Sequence, residues 1–188
     1  MTLLILGVLL WSLTHLLPAM FPDTRARLFE RLGENPYSGV FSVLVLAGLV
    51  LTIIGWRSIM PTGVYAPPMG PNLLISALVL AGLISFAASA VPGNIRRFVR
   101  HPQMVAVILW GAAHLLTNGS DRAIVLFGGL TLWAVLEIAF CNKRDGQWQK
   151  PEKTAVKHDV ITVVVGIVLF SVIAYFHGWA FGVAAIAV

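Results

Sequence analysis

Long stretches without a charged side chain decide what this polypeptide can fold into. There is none between Met1 and Phe21, none between Tyr37 and Trp56, and none over the 38 residues from Ser58 to Ile95. Only 11% of the 188 residues are charged and 58% are hydrophobic, against about 25% charged in an ordinary soluble domain. A soluble fold of this size does not have the interior to hide that much apolar surface. A bilayer does, and a spanning helix needs roughly 20 apolar residues.

Six stretches qualify, which predicts an all-α polytopic transmembrane bundle filling residues 1–188 as a single membrane domain. The spans run approximately over 3–21, 38–55, 72–91, 103–117, 123–141 and 160–176. Pro36, Pro71 and Pro102 open the second, third and fourth, at the helix position where a missing N–H costs nothing. The fourth is short, and beyond the sixth the tail stays apolar to Val188. The first apolar stretch lacks the basic n-region of a cleavable signal.

The basic residues give the spans a direction. Three lie in the first connection (Arg25, Arg27, Arg31), three in the third (Arg96, Arg97, Arg100) and five in the fifth (Lys143, Arg144, Lys150, Lys153, Lys157). Only Arg57 and Arg122 fall at the second and fourth. Lys and Arg are retained on the cytoplasmic side during insertion. The odd connections are therefore expected inside and both termini outside, which agrees with an even number of spans. The net charge of +5 suits anionic lipid headgroups rather than nucleic acid, because the bases sit between apolar segments. In the first connection Leu28, Phe29 and Leu32 are spaced for a short amphipathic helix against the membrane. The single cysteine, Cys141, precludes an internal disulfide.

Chemistry within such a chain should come from polar groups held at depth. His15 lies inside the first span and His114 inside the fourth, each four residues after a tryptophan, Trp11 and Trp110. At that spacing Trp and His share a helix face. Two histidines on different helices can ligate a haem or make ordinary interhelical hydrogen bonds. His15 is about 12 Å and His114 about 21 Å from the flanking charged residues by helix rise, so depth alone does not pair them. His101 stands at the mouth of the fourth span, and His158 and His177 at the ends of the sixth. Arg96, Arg97, Arg100 and His101 precede a helix start, where anions are favoured. A haem propionate, a lipid phosphate or a nucleotide-like cofactor would suit that cluster, and so would a simple positive-inside anchor. Glu137 is an acid deep in the fifth span, a candidate proton site. Common soluble nucleotide, zinc-protease and hydrolase motifs are absent.

The segments SLTHLLPA (12–19), RLGENPYSGVFSVLVLAGLVLTIIGWR (31–57), YAPP (65–68), VRHPQMVAVILWGAAHLLTNG (99–119) and LFGGLTLWAVLE (126–137) resemble the bacterial NnrU family of membrane proteins. The resemblance implies a multi-pass protein of the bacterial inner membrane with an accessory role in denitrification, beside nitrite and nitric oxide reduction. It also implies kinship with 15-cis-zeta-carotene isomerase, a membrane protein with b-type haem on histidine ligands. Carried across by motif, those ligands fall on His15 and His114. The isomerase has a cysteine three residues before its second histidine, where this sequence has Gly111, which speaks against its ligand switching. The expectations are thus a haem b protein with His15 and His114 as axial ligands, Trp11 and Trp110 beside them, and Arg96, Arg97, Arg100 and His101 as further cofactor contacts. Nitric oxide or an apolar polyene would be the small-molecule partner. The alternatives are an isomerase acting on carotenoids or a non-catalytic assembly partner of a denitrification reductase. The RHP element is also similar to that of isoprenylcysteine methyltransferases, over a short stretch only.

Overall fold

The structure, a computed structural model, describes residues 1–70 and 72–182. Pro71, expected to open the third span, and the apolar tail over 183–188 lie outside the described residues. Seven helices account for most of the chain: α1 (Thr2–Met20), α2 (Pro22–Leu32), α3 (Glu34–Arg57), α4 (Leu73–Ala90), α5 (Pro102–Thr117), α6 (Asp121–Asp145) and α7 (Val156–Phe181). Five of them, α1, α3, α4, α6 and α7, are long and apolar enough to cross a membrane. The expected bundle of about six spans thus consists of five full-length helices and the short α5. At 16 residues, α5 rises only about 24 Å, less than the roughly 30 Å of a hydrocarbon core.

The chain divides into two compact units. In the first, residues 1–65 and 119–147, α1 is central and packs on α3 and on α6. Glycine permits the first contact. A Cβ on Gly48 would stand 2.9 Å from the Trp11 backbone nitrogen, and one on Gly55 would stand 2.6 Å from the Leu4 Cα. In a lipid environment such close backbone approach is a main source of helix association. The connection after α3 is fastened to the start of α6. Val64 N–H and Tyr65 N–H donate to the Gly119 carbonyl at 2.8 and 3.2 Å, and Asp121 Oδ1 accepts from Thr62 N–H at 3.1 Å. Arg122 donates from one terminal nitrogen to the Trp56 and Ile59 carbonyls, 3.2 Å each, with its guanidinium 4.3 Å from the centre of the Trp56 ring. Near its start α6 widens into a π-turn over Ile124–Gly128.

Between α1 and α3 the expected amphipathic segment forms as α2. Leu28 and Leu32 are exposed, and the Arg25 guanidinium lies 5.8 Å from the Phe29 ring.

In the second unit, residues 66–118 and 148–188 so far as described, α4 is central between α5 and α7. Ser85 donates to the Pro102 carbonyl at 2.8 Å, tying α4 to the first turn of α5. A Cβ on Gly166 of α7 would meet the Ile84 Cα at 2.8 Å.

Candidate functional site

His15 sits on the central helix of the first unit. Its Nδ1 is 2.8 Å from the carbonyl oxygen of Trp11, one turn earlier. A carbonyl only accepts, so in the neutral ring Nδ1 carries the proton and Nε2 carries the lone pair. The ring is walled by three aromatics: Trp11 at 4.7 Å, Phe41 of α3 at 5.3 Å and Trp133 of α6 at 5.3 Å between centroids. Pro18, one turn later, has no N–H to give the Thr14 carbonyl, so the helix hydrogen-bond ladder is interrupted beside the histidine.

The same unit holds an unusual set of buried polar atoms without partners among the described residues: Trp11 Nε1, Ser12 Oγ, Thr131 Oγ1, Trp133 Nε1 and Glu137 Oε2. In hydrocarbon each such atom costs more than it would near water. The two indole nitrogens are donors only and flank His15, so they suit a ligand that carries acceptors. Glu137 follows Trp133 by one turn, and its other oxygen accepts from Cys141 Sγ at 3.5 Å.

His114 repeats the local geometry in the second unit. Its Nδ1 is 2.8 Å from the carbonyl oxygen of Trp110, which again leaves the lone pair at Nε2. The Trp110 ring lies 5.1 Å away, and the His177 ring, from α7, lies at 6.4 Å. Gly111 and Ala113 beside it are buried.

Arg96 and Arg97 lie on a 3-10 turn, Asn94–Arg97, just before α5, and His101 is the residue that caps α5. About 18 Å of helix rise separates the start of α5 from His114. The arginines and His114 therefore occupy opposite ends of one helix rather than one cluster.

Trp133 and Phe41 were not picked out from the sequence, and His177 was placed there only at an end of the sixth span. Trp133 had a signal, because Trp133 and Glu137 repeat the four-residue Trp-to-polar spacing of Trp11 and His15. Phe41 had none, and neither did the pairing of His177 with His114, since both contacts form across a helix interface. Among the described residues no group of three or more His, Cys, Asp or Glu could hold a bare metal ion. A macrocycle, which brings its own four nitrogens, requires only one or two protein ligands.

A family model described as NnrU protein matches residues 3–185. No curated protein and no solved structure matches the chain.

Proposed function

Because this chain belongs to the NnrU family of membrane proteins, we propose that it binds b-type haem in the bacterial cytoplasmic membrane through His15 and His114, in a redox or nitric-oxide-linked role. The observation that carries this reading is the repeated histidine anchor. Each deep imidazole gives its Nδ1 proton to the carbonyl one turn earlier. A backbone carbonyl on the distal nitrogen is the usual outer partner of a metal-ligating histidine, fixing tautomer and ring orientation. Bound haem would supply electron exchange or a binding site for nitric oxide.

The protein's own part is to hold and dry the site. Trp11, Phe41 and Trp133 restrict rotation of the His15 ring and keep water from it. The unpartnered indole N–H groups of Trp11 and Trp133 are available to acceptors on a bound group. The arginines before α5 stand at the other end of that helix from His114, and we assign them a separate role. The denitrification association follows from the family resemblance. The cytoplasmic placing of the odd connections follows from the split of basic residues, 11 against 2.

The test is direct. The full chain, expressed with haem available and purified in mild detergent, should show a Soret band and a b-type pyridine haemochrome. A helical, monodisperse preparation that takes up no haem would contradict the proposal.

A further inference from the structure

The connection between α4 and α5 is bolted to the start of α7 by one asparagine. Asn94 Oδ1 accepts from Thr154 N–H at 3.0 Å, and its Nδ2 donates to the Thr154 carbonyl at 2.9 Å and to Asp159 Oδ2 at 2.7 Å. Asp159 Oδ1 accepts from Ile95 N–H at 3.2 Å. Gly93 makes the approach possible, since a Cβ there would stand 2.6 Å from Asp159 Oδ1.

In a 3-10 helix, residues three apart eclipse one another. Arg97 therefore leaves the turn on the side of Asn94, toward the same junction. Among the described residues its buried Nε has no acceptor, and Thr154 Oγ1 and His158 Nδ1 are also buried and without partners. Asp159, the carboxylate at this junction, already uses both oxygens on Asn94 and Ile95. An ion pair among the described residues lies elsewhere, between Arg144 and Asp145. Arg122 offers the contrast: its Nε is likewise buried, but two carbonyls and the Trp56 ring receive its guanidinium. Arg97 has no such receivers among the described residues. A buried guanidinium N–H with no acceptor is costly, and an external anion removes the cost.

We infer that this junction is a binding site for a phosphate group, most naturally that of an anionic lipid headgroup. Arg97 supplies the fork, and Thr154 and His158 supply further donors. Arginine forks match phosphate oxygens in geometry and charge. Arg96, Arg100, Lys153 and Lys157 lie close by in sequence and outnumber Glu152 and Asp159, so the local field favours an anion. The place suits a lipid, because the ends of α4, α5 and α7 meet the headgroup layer. Phe98, next to Arg97, is 82% exposed and is ready to lie against acyl chains.

The experiment titrates the full-length protein in detergent with dioleoylphosphatidylglycerol and separately with dioleoylphosphatidylcholine, reading retained lipid by native mass spectrometry. The expected result is a first phosphatidylglycerol held about tenfold more tightly than phosphatidylcholine, with about a tenfold loss in Arg97→Gln. Arg144→Gln, at an exposed ion pair, should change it less than about twofold. Preincubation with millimolar glycerol 3-phosphate at constant ionic strength separates the sources. Displacement assigns the site to soluble phosphate esters, and no displacement assigns it to lipid. Equal affinity for the two lipids, or equal losses in the two variants, overturns the site. If Arg97→Gln does not purify, Arg97→Lys keeps the charge and loses Nε; wild-type binding there overturns the assignment of the fork.

Discussion

His15 Nδ1 lies 2.8 Å from the Trp11 carbonyl oxygen, and that bond decides which nitrogen of the ring can act. With the proton held on Nδ1, the ligating edge is Nε2 in every neutral copy of the ring. His114 and Trp110 repeat the arrangement at the same distance. The two histidines, one in each unit, thus share one tautomer and one local anchor.

The α1–α3 contact should be sensitive to a single methyl group. Gly48→Ala places a Cβ 2.9 Å from the Trp11 nitrogen and should cost about 1–3 kcal/mol by overpacking. Gly39→Ala, on the same helix with nothing within 4 Å, should be stabilising by about 0.5–1 kcal/mol through helix propensity. Thermal unfolding of the two variants in detergent, followed by circular dichroism, checks the opposite signs.

Arg122 is predicted to resist replacement by lysine. Arg122→Lys keeps the charge but cannot reach both the Trp56 and Ile59 carbonyls while stacking on the Trp56 ring. A loss of about 1–2 kcal/mol is expected from the missing hydrogen bond and the weaker cation–π contact. The same unfolding measurement reads it, and a wild-type midpoint would contradict it.

Asn94→Ala should release the segment before α7. The side chain makes three hydrogen bonds, two of them to Thr154. Hydrogen exchange of residues 146–155 should quicken, and proteolysis there should become faster, while exchange in α1 and α3 is unchanged.

The orientation has its own test. With Cys141 replaced by serine, cysteines introduced at Leu28 and at Met60, both exposed, should label from opposite sides of the membrane. An impermeant maleimide should reach position 60 in intact cells and position 28 only after permeabilisation. Labelling of both from one side would undo the alternation.

Much of this fold was legible because charge-free length is a local property. The predicted spans differ from the helices by a few residues, and the differences have causes. α3 starts at Glu34 rather than Ser38 because Pro36 falls in the first turn, where its missing N–H is harmless. α7 begins at Val156 rather than Val160 because Lys157, His158 and Asp159 read as loop. Asp159 instead belongs to the first helical turn, where an acid is favoured, and it is held there by Asn94. The π-turn in α6 left no mark on the pattern. The candidate site was half legible. Spacing exposed the Trp–His pairs, whereas Phe41 and Trp133 around His15, and His177 beside His114, depend on helices distant in sequence. Nothing local in RRFVR distinguishes an anchor from a site. The Arg97 guanidinium differs from that of Arg122 in meeting no carbonyl or ring among the described residues, and the proposed site rests on that difference.

The central claim is tested most directly by reduced-minus-oxidised absorption spectra of the purified wild type, His15→Ala and His114→Ala. A haem-loaded wild type is predicted, with His15→Ala and His114→Ala each losing haem or shifting the Soret and α bands. A Soret band unchanged in both variants would show that neither imidazole is a ligand.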